Sequence, residues 1–425
     1  LGQPPWRRFA FEIMNVTYHH LMGRRILVVG AGVAGLTVAR CLALRGAQVT
    51  VLEQAPAITE VGAGLQIGPN GMAVLRGIGL DHALRKTNAP VAKALTLRNR
   101  RGDRIARFPM APLQRPDDYL FVHRADLIKV LEHGARDAGV SIVLNQRVTS
   151  VIPGEKPNVR YEGGTENPDI RPDIVIGADG LHSIVAQGVC GPNGRAEPFF
   201  TGHVAWRATV PETPQNPAAP HLASTDEVEL YMGPGRHIVT YPLRGGQLRN
   251  IVAVEERAAW TEESWTKPDD TLALRKAFAD MGDRPRALLK KVETVHIWGL
   301  FRHNVAQKWF AKNVVLLGDT VHPTLPFLAQ GAGMAIEDAW VLAACLSETP
   351  NVEKAMTRYQ ALRYNRVEKT VKAANRNAWA YHLDGVMAFG AQTGMKVLGI
   401  VAPTQPIKAF RWLYDHDVTN GTSLV

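Results

Sequence analysis

At 425 residues the chain is too long for one ordinary core and implies two packed domains or a large α/β domain with insertions. Its 46% apolar and 21% charged residues exclude a disordered or fibrous chain. Lys and Arg outnumber Asp and Glu by 49 to 39, a net charge of +10, yet no basic run is present. A diffusely basic surface is the plain reading, an anion-attracting site the second; no nucleic-acid partner is expected.

Residues 1–23 lack the clean hydrophobic stretch of a signal peptide and read as an N-terminal extension outside the fold. Arg25 to Val29 is a short β-rich apolar run, consistent with a strand buried on both faces. A glycine turn follows, then an amphipathic helix to about Arg45 and a second strand from Gln48 to Glu53. Strand, helix and strand within about thirty residues make a right-handed βαβ unit. From Thr87 to Asp118 the pattern is irregular, with short β-like pieces. Ala125 to Ala138 reads as helix, and Val140 to Leu144 and Asp173 to Ile176 as strands. Between Phe199 and Val254 period-2 stretches alternate with Pro and Gly turns, which points to an inserted antiparallel sheet. Asn313 to Leu317 returns to the buried-strand style, and the chain from about Ala335 is mostly helical.

Cys41, Cys190 and Cys345 form no CxxC or Cys/His ligand spacing. Neither a disulfide framework nor a metal site is expected, and a reducing cytoplasm is the default compartment. The stretch most like a membrane span, residues 385–403, is interrupted by Gln392 and Lys396, so no span is expected.

Three segments carry chemistry. In Gly30-Ala31-Gly32-Val33-Ala34-Gly35, Gly30 allows the tight turn, Gly32 a close approach of backbone to pyrophosphate, and Gly35 close helix packing. The following helix offers free N–H groups and its positive end to an anion. Glu53, ending the next strand, is placed to accept hydrogen bonds from a ribose. The second segment runs from Asp173 to Gly180, and the third from Leu316 through Asp319, His322 and Pro326 to Asp338. Each reads as a buried strand ending in a Gly/Asp turn, so Asp179 and Asp319 fall where α/β sheets bind ligands. The plainer reading is that these aspartates cap turns. Glycines from Gly331 onward precede a helix, a second set of unpaired N–H donors.

With Gly62 to Asn70 and His123 to Leu127, these segments occur in the order found in group A flavoprotein monooxygenases, which the chain resembles over about three-quarters of its length. That family includes the para-hydroxybenzoate, salicylate and 3-hydroxybenzoate hydroxylases. The branch it most resembles is that of salicylate, 3-hydroxybenzoate and 6-hydroxynicotinate hydroxylases.

The resemblance implies an α/β fold: a Rossmann-like FAD-binding domain (residues 24–95, 120–190 and 296–348), an inserted substrate domain (96–119 and 191–295) and a helical C-terminal region (349–425). It implies FAD held by Gly30, Gly32, Val33, Ala34, Gly35, Glu53, Gly64, Arg124, Asp179, Asp319, Pro326, Gly331, Ala332, Gly333 and Met334. NADH or NADPH would be a visiting co-substrate, since no second GxGxxG is present. The activity implied is hydroxylation of a phenolic aromatic acid with O2 through a flavin hydroperoxide. Alternatives are a hydroxylase of larger phenolic natural products and a non-oxygenating FAD oxidase or dehydrogenase.

Hydroxylation is easier on a phenolate, so a neutral histidine near the phenol oxygen is the expected base. His203 is the leading candidate. On a strand, His203, Ala205 and Arg207 share one face, where Arg207 could pair with a substrate carboxylate or an enolate oxygen, while Trp206 faces the other layer. Tyr231, Tyr241, Gln66 and Gln330 are further pocket candidates, and His322 is read as positional. The helical tail offers a surface for a homodimer.

Overall fold

The computed structural model describes residues 20–58, 63–162, 171–191, 197–212, 226–260 and 267–420. Its first sheet has six strands in the order Phe310–Ala311, Val314–Leu316, Ile174–Gly177, Arg25–Val29, Gln48–Leu52 and Ser141–Val143. All pair in parallel except the short outer strand Phe310–Ala311. Val28, Val51, Val175 and Val315 are wholly buried, as strands covered on both faces require. The helix Val33–Ala43 packs between this sheet and the helices Arg124–Asp137 and Gly331–Glu348, which is why almost all of its residues are buried.

The second sheet has eight strands: Pro268–Asp269, Val295–Arg302, Phe199–Pro211, Leu248–Glu256, Arg236–Leu243, Glu227–Gly233, Ala94–Asn99 and Arg104–Pro109. It is antiparallel but for one seam, where Glu227–Gly233 runs parallel to Ala94–Asn99. The strands from 199 to 256, where an antiparallel insertion was expected, are antiparallel to one another, and the parallel seam is where they meet Ala94–Asn99. Its cause is that Ala94–Asn99 and Arg104–Pro109 form a hairpin far upstream, which joins the sheet by a crossover. Val295–Arg302 also belongs to this sheet, although the expected boundary assigned residues from 296 onward to the first domain. One face covers a core of Val204, Trp206, Val210 and Ile251 under two short helices. The other, with Ala205 and Val254, faces Leu325 and Phe327.

The hairpin of Val148–Ile152 and Asn158–Tyr161 has no counterpart in the sequence reading. Leu21 is 1% exposed within the main core, and Gly23 donates its N–H to the Gly46 carbonyl, so the fold includes residues the reading assigned to the extension. The remainder of that extension, residues 1–19, lies outside the described residues. The C-terminal region is helical: Val352–Tyr381 crosses both layers, and Gly385–Val401 lies on the outer strand Arg104–Pro109 with no side chain buried.

Candidate active site

The three motif segments meet at the carboxyl ends of the parallel strands. A Cβ on Gly30 would lie 2.5 Å from the Ala178 carbonyl oxygen, and one on Gly35 would lie 1.9 Å from the Gly30 carbonyl oxygen. Both positions therefore need glycine. A Cβ on Gly32 would meet nothing within 4 Å, because this residue faces open space. Gly32 caps the helix Val33–Ala43 with no side-chain hydrogen bond. The first in-helix donor is Leu36, to the Gly32 carbonyl, so the Val33, Ala34 and Gly35 amides are turned toward that space. Glu53 accepts from the Ala31 N–H at 2.8 Å and the Ala55 N–H at 2.9 Å, which fixes its carboxylate beside the glycine loop.

Asp319 is accessible to solvent although protein surrounds it, the situation of a group lining a deep cleft. Burial pushes its carboxyl up from the usual range, against the opposing charges of His322 and Arg124. Gly331, Ala332 and Gly333 begin the helix Gly331–Glu348, whose cap residue Gln330 makes no side-chain cap bond. Two helix N-termini, a deep-set carboxylate and a glycine facing open space fit a dinucleotide bearing a pyrophosphate.

A pocket is lined by Arg207, Trp298, Leu300, Thr324, Leu325 and Pro326. The Arg207 guanidinium carbon sits 3.8 Å from the centre of the Trp298 ring. Stacking holds the cation oriented at the pocket wall. Residues 24–374 match the family described as "FAD binding domain". The chain is 35% identical to the 3-amino-4-hydroxybenzoate 2-monooxygenase of Streptomyces cremeus, over 92% of this chain and 94% of that protein. It is 32% identical to 3-hydroxybenzoate 6-hydroxylase 1 of Aquipseudomonas alcaligenes, over 92% and 98% respectively.

This chain belongs to the class A flavin-dependent aromatic hydroxylases. The 6-hydroxynicotinate 3-monooxygenase of Pseudomonas fluorescens is 32% identical, with 84% of this chain and 91% of that one covered. The fold is shared with a salicylate hydroxylase–substrate complex at a TM-score of 0.78 and 22% identity, over 94% and 97% of the two chains. As a hydroxylase of this class it is an FAD enzyme, and reduced nicotinamide, O2 and a small aromatic compound are its reactants.

Within this hydroxylase the predicted site residues divide. His203, Ala205 and Arg207 do share a face, and Trp206 points into the opposite core, where its Nε1 donates to Asp269 at 2.6 Å. The His203 ring lies 5.7 Å from that of Phe327, in the segment before the helix Gly331–Glu348. Its Nδ1 is 2.9 Å from the Thr201 carbonyl oxygen and so carries the proton, leaving the lone pair on Nε2. Burial lowers the His203 pKa, and the imidazole is neutral near pH 7. Tyr241 stacks on Phe121 at 5.0 Å, beside Gly64.

Five placements bear on the sequence reading. Tyr231 lies on the far face of the sheet, accepting from Arg284 Nε at 2.8 Å and donating to Glu229 at 3.0 Å; the strand alternation turns it away from Arg207. Gln330 is 2% exposed and its Oε1 accepts from Asn70 Nδ2 at 3.0 Å, so it pins two elements rather than facing a substrate. Gly64 donates its N–H to Asn250 Oδ1, which leaves that amide occupied. Met334 is the first residue of its helix with a backbone partner, the Gln330 carbonyl, and its side chain is fully buried. The Asp179 carboxylate accepts from the Ser183 hydroxyl and the Ile184 and Val185 N–H groups, which ties it to the start of the helix Ile184–Cys190.

The sequence reading missed a buried ionic network at the start of the helix Gly331–Glu348. Glu337 accepts from Asn70, Arg363 and Arg366 at 2.5 to 2.7 Å. Asp338 accepts from Arg363 Nε and from the Gly318 N–H, and sits 2.5 Å from His322 Nε2. Burial pushes both carboxyls up, but Arg366 and Arg363 at Glu337, and His322 and Arg363 at Asp338, hold them below the usual range. The one local signal was Arg363 and Arg366 at i, i+3 on a helix, which reads equally as a solvated face.

Proposed function

We propose that this enzyme hydroxylates a phenolic aromatic acid using NADH or NADPH and O2. The observation that carries the reading is the Arg207 cation, stacked on Trp298 and opening into a pocket bounded by the Thr324–Pro326 loop. An aromatic carboxylate would meet there both a fork of donors and an apolar wall. The relatives named above act on ring-hydroxylated aromatic acids, which supports the same substrate class.

In this reading Gly30, Gly32, Val33, Ala34, Gly35 and Glu53 hold the ADP half of FAD. Arg124, Asp319, Pro326, Gly331, Ala332 and Gly333 hold the remainder. FAD, when bound, supplies the redox chemistry with nicotinamide and O2. The chain's own residues do the rest. Arg207 orients the acid, and His203 Nε2 accepts the phenol proton so that the ring is electron-rich when it is oxygenated. Leu300, Leu325 and Phe327 exclude water from the reacting centre. A cytoplasmic location is part of the same proposal, as is a homodimer joined through Gly385–Val401, whose Val386, Phe389 and Ile400 are strongly exposed. Light scattering of the purified protein tests the latter. Among the described residues no helix is long and apolar enough to cross a membrane.

The test is oxidation of NADH and NADPH by the purified flavoprotein across a panel of phenolic acids, with product and peroxide both quantified. One acid should accelerate oxidation and give hydroxylated product with little peroxide. Peroxide alone with every acid offered would remove the proposed substrate class.

A further inference from the structure

The inner face of the eight-stranded sheet brings together histidines that no sequence motif links. His203 stands directly opposite Glu256 on the neighbouring strand, so both side chains project from one face. His382 follows the last turn of the helix Val352–Tyr381 and presses onto the same face, its Nδ1 2.7 Å from Glu256 Oε1. One ligand atom from each of His203, Glu256 and His382 lies within 4.8 Å of the others.

We propose that His203, His382 and Glu256 form a binding site for a divalent transition-metal ion of zinc's class. Two imidazoles and one carboxylate, with water completing the set, are a donor combination that such ions accept. A site of this kind also needs the second nitrogen of each ring to be held, and here both are. His203 Nδ1 is bonded to the Thr201 carbonyl, and His382 Nε2 lies 2.6 Å from Nδ1 of the fully buried His237. The Thr201 carbonyl sets the tautomer that leaves His203 Nε2 as a lone pair, whereas His382 Nδ1 donates its proton to Glu256 and gives that proton up when an ion takes the site. Burial lowers the pKa of all three histidines, in agreement with neutral rings.

The helix ending at His382 has 30 residues, and its carbonyl end adds partial negative charge beside the cluster. Side-chain exposure of 54% at Glu256 against 2% at His382 gives an ion a way in from solvent. The three ligands come from positions 203, 256 and 382, so no spacing rule could reveal them, and the absence of a metal site expected from the cysteines does not bear on this one. Resting on the reading of His203 as base, the site has a consequence: zinc takes the Nε2 lone pair and so inhibits coupled hydroxylation reversibly.

Equilibrium dialysis of the FAD-loaded enzyme against buffered zinc chloride, with bound metal measured by mass spectrometry, tests the site without any activity readout. The wild type should hold one zinc per chain at micromolar free metal. His382→Ala and Glu256→Gln should bind at least about tenfold more weakly, and His237→Ala about ten- to a hundredfold more weakly, with FAD content and melting temperature checked in each. The chain has 14 histidines, so adventitious binding elsewhere is the competing outcome. Retention of no zinc, or equal retention by wild type, His382→Ala and Glu256→Gln, overturns the site. One zinc bound with hydroxylation undisturbed would keep the site and reject His203 as base.

Discussion

Gly35 shows how little freedom the nucleotide loop has. A Cβ there would penetrate the Gly30 carbonyl oxygen, a backbone atom that can retreat only by moving the loop. Gly35→Ala is therefore expected to purify with most of its FAD lost, which the ratio of flavin to protein absorbance measures directly. Gly32→Ala, with nothing within 4 Å, should fold with unchanged stability as apoprotein. Any flavin it loses then reports a clash with the cofactor itself. At the other end of the site, His203→Ala should keep its FAD and lose about 10²-fold or more in the rate of coupled hydroxylation, the range for one general base. NADH or NADPH consumption would continue with peroxide as the product. Normal coupling in that variant would remove His203 from the chemistry.

The helices Gly331–Glu348 and Val352–Tyr381 are joined by charge as well as by packing. Arg363 bonds to both Glu337 and Asp338, and all three side chains are almost completely buried. Through Asp338 the network reaches the Gly318 N–H, next to Asp319; through Asn70 it reaches Gln330. Removing one partner leaves buried charge uncompensated, so Arg363→Met should cost about 3–5 kcal/mol in unfolding measurements and reduce FAD retention. Lysine should not rescue it, because a point charge does not reproduce the two-sided fork. The pH dependence has a definite sign. Glu337 is held below its ordinary pKa in the fold, so it contributes stability above its unfolded pKa and loses it as pH falls toward the folded value. Melting temperature followed from about pH 5 downward should fall less steeply in Glu337→Gln than in wild type.

This network also marks where sequence reasoning runs out. Arg25 to Val29 and Ile174 to Gly177 were legible because a strand buried on both faces has to be an apolar run, and the glycine turns stand beside them. Arg363 and Arg366 sit in a helix rich in basic residues, where nothing local distinguishes a buried cation from a solvated one. Tyr231 was misread because its strand has buried residues on both faces, so periodicity could not say which face meets the flavin loop. The histidine cluster depends on cross-strand register, a long-range property.

At the scale of the whole molecule, the proposed catalysis needs the parallel sheet with its proposed nucleotide cleft and the eight-stranded sheet with Arg207 to be held at a fixed separation. The seam is specific. Arg244, in the turn between two strands of the larger sheet, donates two bonds of 2.8 Å to Asp126 on the helix of the first layer. Tyr241 stacks on Phe121, and Tyr119 donates to Gln66 at 2.9 Å. Gly64 lies at the centre, its N–H on Asn250, with no room for a Cβ: Asn250 Cγ and Tyr241 Cε2 would each be 2.7 Å away. Neither neighbour can swing aside, since Asn250 is 0% and Tyr241 3% exposed. Gly64→Ala should therefore push the sheets apart, with an overpacking cost of about 1–3 kcal/mol. The residues proposed to hold FAD are untouched by this change, so flavin content should stay near wild type. The Arg207 pocket would be displaced from the cleft, and a displacement of about 1 Å can cost on the order of 10²-fold in rate. Coupling and melting temperature measured together separate the possibilities. A lower melting temperature with more peroxide and retained flavin supports a seam that sets the alignment of the two sheets. Full coupling at a lowered melting temperature would show that the pocket tolerates the shift, and that alignment is maintained elsewhere.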